Sequence, residues 1–368
     1  DTIKNFVRKE LPVERARKMR EDDTGYSKDT WRQMGELGWL AIGMPESVGG
    51  FGGSFTEVAL LLEQFGTRLV SEPYIASVVL AGHAILRAGS EEQHERFLSP
   101  MLTGDTTLAL AYAERDGRFA LKAERTEAQL RDGRWHLTGE KIFVLNGHAA
   151  DHLVVSARTP SGLSLFVVDA KAEGLEIQRI TTMDGRRAAM VRLDCQLDAD
   201  RLLGVEGEAA DVLDEVIDRG AAAACAEGYG ILRAVLEMTI EYLQTREQFG
   251  VKIGTFQALQ HRAVDMFIQT QLCQSTSMMA MIKVQDADAD ERRRAVSAAK
   301  VQLSTGGKFV TQQAIQLHGG IGVTDEHDVG LYFKRMHILN TLFGDEEYHV
   351  RRYGSLPGFG TGDERASA

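Results

Sequence analysis

The stretch Asp211–Thr245 contains no proline and is alanine-rich in its middle, at Ala221–Ala226. It reads as one long helix, and a helix of that length needs neighbours to cover its apolar face. The sequence offers three. Gln257–Val284 carries Leu259, Ala263, Met266, Phe267 and Thr270 at helical spacing, followed by Arg293–Leu317 and Leu331–Arg352. Four long helices predict a bundle. Within it, Met278, Met279 and Met281 are expected to fill core. Ala221–Ala224, Gly228 and Gly230 either leave room for a bulky ligand or let helices approach closely, and close packing is the favoured reading. Glu227, deep in the alanine-rich segment, is expected to be a buried, paired carboxylate; an interface residue or a base are the alternatives.

Upstream the texture differs. In residues 1–107, Trp31, Met34, Leu37 and Leu40 recur at helical spacing, as do Val58, Leu61, Leu62 and Phe65. Between them lies MPESVGGFGG (Met44–Gly53). Ser90, with Gln93 three residues on, reads as a helix N-cap. From 108 to 207 short strands are expected at Leu108–Tyr112, Ala128–Arg131, Trp135–Thr138, His152–Ser156, Leu163–Val168 and Met190–Leu193. Turn signals at Asp132-Gly133, Asn146-Gly147 and Ser161-Gly162 bound them. The predicted class is therefore α+β: an N-terminal helical domain (1–107), a β-barrel or sandwich domain (108–207), a C-terminal helical bundle (208–353) and a flexible tail (354–368). The glycines of Gly49–Gly53 lack GxGxxG spacing between a strand and a helix, which excludes a Rossmann reading.

A net charge of -11 gives no basic face for nucleic acid. The run Arg292–Arg294 follows the acidic Asp286–Glu291 and reads as a solvated helix connection. Cys195, Cys225 and Cys273 are far apart in sequence, which argues against a disulfide framework or a cysteine metal site and points to a reducing, cytoplasmic setting. No apolar run is long enough to span a membrane, and the first residues hold no secretion-signal core.

Five segments, in this order, resemble the acyl-CoA dehydrogenase family. They are MPESVGGFGG, GSEEQHERFLSPMLTGD (Gly89–Asp105), LTGEKIFVLNG (Leu137–Gly147), TREQFGVKIGTFQALQ (Thr245–Gln260) and QLHGGIGVTDEHD (Gln316–Asp328). The resemblance covers nearly the whole chain. It implies α,β-dehydrogenation of an acyl-CoA thioester, non-covalent FAD, a tetramer, and electron transfer to an electron-transferring flavoprotein. A carboxylate takes the α proton while the flavin accepts hydride from the β carbon.

The same resemblance implies that Arg246, Gln248, Phe249, Phe256, Gln257, Gln316, Gly319 and Gly320 meet the adenine and pyrophosphate half of an FAD held mainly by a neighbouring subunit. A guanidinium fork suits a diphosphate, and glycines let backbone come close to it. In isolation Arg246 would read as a surface residue, Phe249 as core and Gly319-Gly320 as a helix stop.

Two departures stand against this. At the ring end, a threonine of the family pattern is Ala113, and the hydroxyl that ends its W-I-T is lost in Phe143-Val144-Leu145. At the base, ungapped counting from Gln316 puts Phe343 where many members have glutamate. Asp345 is close but would point elsewhere on a helix. Other members carry the base before the R-x-x-F-G segment, where counting lands on Gly220 and Ala221. A slip of two residues gives Asp218-Arg219; an ordinary exposed aspartate is the plainer reading of Asp218. The catalytic base is thus unassigned, with Asp218 the weak candidate. The pattern is most similar to the small subunit of heteromeric bacterial enzymes, such as that of pimeloyl-CoA dehydrogenase. This implies a paralogous partner in a heterotetramer. A self-sufficient homotetramer using Asp218, or a flavin-free structural subunit, are the alternatives.

Overall fold

The computed structural model describes residues 2–358. The described residues form two compact units. One takes residues 2–13, 59–70 and 221–358; the other takes 14–58 and 71–220. The helix Ala210–Thr245 is continuous and gives residues to both.

The second unit is organised by one sheet. Its strands are β1 (Leu108–Ala111), β2 (Glu127–Arg131), β3 (Arg134–Leu145), β4 (His152–Thr159), β5 (Gly162–Asp169), β6 (Leu175–Thr181), β7 (Arg187–Asp198) and β8 (Leu202–Leu203). The order is β6-β7-β3-β2-β4-β5-β8, with β1 added beside β4 in parallel. All six expected strands form; β6 and β8 went unpredicted. Alternation along β7 buries Val191, Leu193, Cys195 and Leu197 and exposes the residues between them. These meet Trp135, Leu137, Leu153, Val155 and Phe166 in one core, where the Trp135 and Phe166 rings lie edge to face at 5.1 Å. Ser77 fixes β1 to the apolar helix Ile75–Gly82: its hydroxyl donates to Leu108 O (2.8 Å) and accepts from Leu108 N (3.1 Å). Ser90 is the predicted cap, in a reciprocal box with Gln93.

The first unit is helical. After residue 221 it contains the rest of Ala210–Thr245, then Gln257–Lys283, Ala289–Gln302 continued through a π turn into Lys308–His318, and finally Val329–Thr341 and Glu346–Gly354. The expected fourth helix, Leu331–Arg352, is therefore two. Phe343 (φ 59) and Gly344 (φ 115) leave helical space, and Asp345 caps the next helix by accepting from Tyr348 N at 2.9 Å. Lys300, fully buried, donates to Leu339 O (2.6 Å) and Leu342 O (2.8 Å) and so ties down the carbonyls that this break releases.

The small residues serve close packing. A Cβ on Gly230 would lie 2.0 Å from Glu63 O, and one on Gly66 would lie 2.1 Å from Glu227 O. The Met cluster divides: Met281 is core at 3% exposure, but Met278 and Met279 are 49% and 40% exposed. The expectation that they fill core fails for those two, because they fall on the outer side of Gln257–Lys283. The cysteines are free and buried. No helix among the described residues is long and apolar enough to cross a membrane.

Glu227 is paired as expected. Its two carboxylate oxygens accept from Arg335 Nε (2.7 Å) and Nη2 (2.8 Å), with both side chains under a tenth exposed. The bond holds Val329–Thr341 against the long helix. Removing one partner strands a buried charge, at a cost of about 3–5 kcal/mol, whereas an apolar pair of similar volume is often neutral. Denaturant unfolding of Glu227→Leu should show that loss, and Glu227→Leu/Arg335→Met should recover most of it. A double variant as unstable as the single one would refute this role.

Candidate cofactor-facing site

The long helix ends at Thr245, and Arg246 N still bonds Tyr242 O (2.9 Å). A short hairpin follows, β9 (Glu247–Gln248) pairing antiparallel with β10 (Val251–Lys252). Phe249 (φ 55) and Gly250 (φ 78) occupy its two central positions, and a two-residue turn of this hand requires positive φ at both. Glycine adopts that freely; phenylalanine does so under strain. The hairpin closes with Ile253 N on Arg246 O (2.9 Å). Phe249 is 91% exposed and meets Phe256 edge to face at 6.2 Å. The plain reading of Phe249 as core therefore fails: the turn drives its ring outward.

The second predicted segment ends the helix Lys308–His318. Gly319 (φ 64) reverses the chain, so the helix-stop reading also holds for it. Space beside both glycines is open, with no atom within 4 Å of a Cβ built on Gly319 or Gly320. Three aromatic rings, all absent from the sequence reading, join the two segments. His318 stacks on Tyr242 at 4.6 Å, and the His327 ring lies tilted against it at 4.5 Å. Arg262 adds a bond to Gln313 at 3.3 Å. Arg246, Gln248, Phe249, Phe256 and Gln257 thus share one end of the helical unit with Gln316, Gly319 and Gly320, and all eight are exposed. The only sequence signal for the stack was His318 abutting the Gly-Gly pair.

These residues fit the adenylate half of a flavin dinucleotide. Among the described residues Arg246 has no ion-pair partner, which leaves its fork of donors available to a diphosphate. Phe249 and Phe256 offer apolar faces for a base, and the open glycines admit a phosphate close to backbone N–H groups.

The ring-end residues belong to the other unit. β3 carries a bulge between Lys141 and Val144, with Phe143 at φ 52 and Asn146 at φ 59. Bulges of this kind re-aim side chains. Ile142 N bonds Ala113 O at 2.9 Å, which fixes the loop after β1 beside the bulge. Glu114 anchors that loop from inside. It accepts from the backbone N–H groups of Glu124, Arg125 and Thr126, and from Lys141 Nζ at 2.8 Å. The scaffold is ordered, yet Ala113 and Leu145 bring no hydroxyl to it.

The positions considered for a base have distinct fates. Phe343 is buried, and its carbonyl accepts from His349 Nε2 at 3.0 Å. The Asp345 carboxylate is engaged as a helix cap, and that of Glu227 by Arg335. Asp218 is 1% exposed, so the reading of it as an exposed aspartate is wrong. The helix turns it inward one residue before Arg219, whose guanidinium lies 5.7 Å over Phe55 and 3.3 Å from Glu215. Burial opposes ionisation of Glu215, but His83 at 2.9 Å, with Arg219 and Arg87, holds its carboxyl down to about 2. Burial also pushes His83 down to about 4, against the pull of Glu215, so this dyad is a neutral imidazole on a carboxylate near neutral pH.

Family models for the N-terminal, middle and C-terminal domains of acyl-CoA dehydrogenases match residues 1–105, 109–195 and 210–354. The chain is 30% identical over 362 residues to acyl-CoA dehydrogenase FadE27 of Mycobacterium tuberculosis, covering 96% of this chain and 94% of that one. Among solved structures it is similar to the ChsE4-ChsE5 complex from Mycobacterium tuberculosis, at 29% identity and a TM-score of 0.88. It is also similar to a variant of the Tcur3481-Tcur3483 steroid ACAD, at 30% identity and a TM-score of 0.85. Both alignments cover 96% of this chain and 94% of the other. With three consecutive domain matches and a fold shared from end to end, the chain belongs to the acyl-CoA dehydrogenase family of FAD-dependent enzymes.

Proposed function

We propose that this chain is the non-base subunit of a heteromeric acyl-CoA dehydrogenase, lending adenylate-side contacts to an FAD held mainly by a paralogous partner. The observation that carries this is an asymmetry. The adenylate-facing residues are assembled and exposed, while a buried phenylalanine, Phe343, stands where the family pattern has a glutamate. The lost hydroxyls at Ala113 and Leu145 point the same way. The partner supplies the proton acceptor and the ring pocket.

When bound, FAD supplies the two-electron acceptor for the β hydride. This chain's own part is to bind and orient. Arg246 neutralises pyrophosphate charge, Phe249 and Phe256 flank the adenine, and Gln316 with the Gly319-Gly320 backbone closes that half. An uncovered apolar face on Gln257–Lys283 supports a partner. Val264, Phe267, Ile268, Leu272 and Ile282 are each between 45% and 60% exposed, more than a monomer's surface ordinarily leaves in one stripe. The similarity to relatives described as a two-chain complex and as a steroid ACAD favours a bulky acyl-CoA such as a steroid side-chain thioester, with an electron-transferring flavoprotein as acceptor.

The burial of Asp218 beside Arg219 favours a second reading, a homotetramer with Asp218 as base. Expressed alone, the chain should purify with far less than stoichiometric FAD and should not bleach flavin anaerobically with acyl-CoA. Stoichiometric FAD with turnover by the lone chain would sink the heteromer reading. Loss of that turnover in Asp218→Asn would then establish the rival. In the assembled complex, Arg246→Ala removes a charged hydrogen bond of about 1.5–3 kcal/mol. FAD retention should fall roughly 10- to 100-fold, and unchanged flavin content would exclude the assigned contact.

A further inference from the structure

We infer that the helical unit holds a second ligand site, a cleft that takes a small phosphate-bearing molecule, distinct from the adenylate-facing surface. The cleft encloses about 450 Å³, within the ~300–1,000 Å³ usual for small-molecule sites. Four cations line it: Lys4, Arg8, Arg68 and Arg233. Two carboxylates, Glu237 and Glu241, lie along one edge. Its lining on the long helix runs from Arg233 to Glu241, which lies about 8 Å along the axis from Arg246 at the usual rise per residue, and none of the eight adenylate-facing residues lines it.

Four cations against two carboxylates leave the cleft with net positive charge. Lys4 and Arg8 stand one turn apart on the helix Thr2–Glu10. Among the described residues neither they nor Arg68 have an ion-pair partner. Arg233 touches a neutral group, Gln64 Oε1, at 3.2 Å. The carboxyl near it, Glu63, is 7% exposed, and burial pushes it up to about 7 despite Arg233. Burial thus favours its neutral form and weakens its offset of Arg233.

The segment that bears Arg68 is also held in place. Tyr332 Oη donates to Thr67 O (2.7 Å), and Thr67 Oγ1 donates to Gln64 O (2.6 Å). These bonds meet carbonyls at the end of the helix Phe55–Gly66 that would otherwise repel an anion. Leu69 at φ 54 then turns the chain away, which leaves Arg68 half-buried at the cleft. A half-buried guanidinium on an anchored segment favours bidentate contact with a phosphate. The acidic edge works against a long polyanion and suits a compact ligand whose uncharged end carries hydroxyl or amine donors.

The test titrates the purified full chain, with any partner that co-purifies, with inorganic phosphate and separately with ADP. Ionic strength is kept constant with chloride, and binding is followed by calorimetry and phosphorus NMR. Saturable binding should appear and weaken at least tenfold in Arg68→Gln and in Arg8→Gln, with unchanged thermal melts, while Glu237→Gln tightens it. Arg246→Ala separates the two surfaces for phosphate and for ADP alike: binding that survives it and is lost in Arg68→Gln and Arg8→Gln belongs to the cleft. Tighter binding of ADP than of phosphate through Arg68 identifies a phosphorylated metabolite, and equal binding identifies free phosphate. No saturation, binding matched by chloride, or affinity indifferent to Arg68 and Arg8 would each overturn the site. None of these outcomes depends on the subunit role proposed above.

Discussion

The helical unit depends on one buried ion pair, Glu227 with Arg335. Bringing both charges out of water costs several kcal/mol per ion, and only near-ideal geometry recovers it. The bidentate bond supplies that geometry, and it fixes register as well as energy: neither helix can slide without stranding a charge. The glycines cooperate. Gly66 and Gly230 allow backbone contact that any side chain would block, so the helix Phe55–Gly66 is seated closely on the same long helix that carries Glu227. The exposed end that bears Arg246 inherits its position from this clamp.

That end is built against ordinary surface rules. It presents Phe249 on a strained turn, and the helix beginning at Gln257 adds a stripe of exposed apolar side chains. Strain of this sort is retained where surrounding structure over-determines it. Here the hairpin pairing and the Tyr242–His318–His327 stack do so. The stack joins segments more than seventy residues apart through rings rather than through the glycine motif that identified them.

Much of the fold was legible because periodicity and turn chemistry are local. The Ser90 box, the six strands with their Gly-bearing turns, and the close-packed small residues all follow from neighbours in sequence. β6 was missed because it is a short sheet-edge strand whose apolar alternation covers only Leu175 and Ile177 and breaks at Arg179. The break at Leu342–Asp345 was missed because an apolar stripe runs through it. What ends the helix is left-handed backbone fixed by His349, six residues on, and by Lys300, some forty residues away in sequence. Site residues were recognisable as motifs, but their exposure was not. Met278, Met279 and Asp218 were each assigned the wrong environment, since a face is set by tertiary packing and not by residue type.

The turn at Phe343 also bears on how such a chain diverges. Phenylalanine gains nothing from a left-handed backbone, yet the turn is held from outside itself: Lys300 grips the carbonyl before it and His349 grips its own. Both bonds are to backbone carbonyls and neither passes through the buried side chain of Phe343. A lineage that exchanges a ring for a carboxylate at this position keeps those two backbone bonds and needs to add only a partner for the buried charge. Gain or loss of chemistry here is separated from the architecture by a single codon.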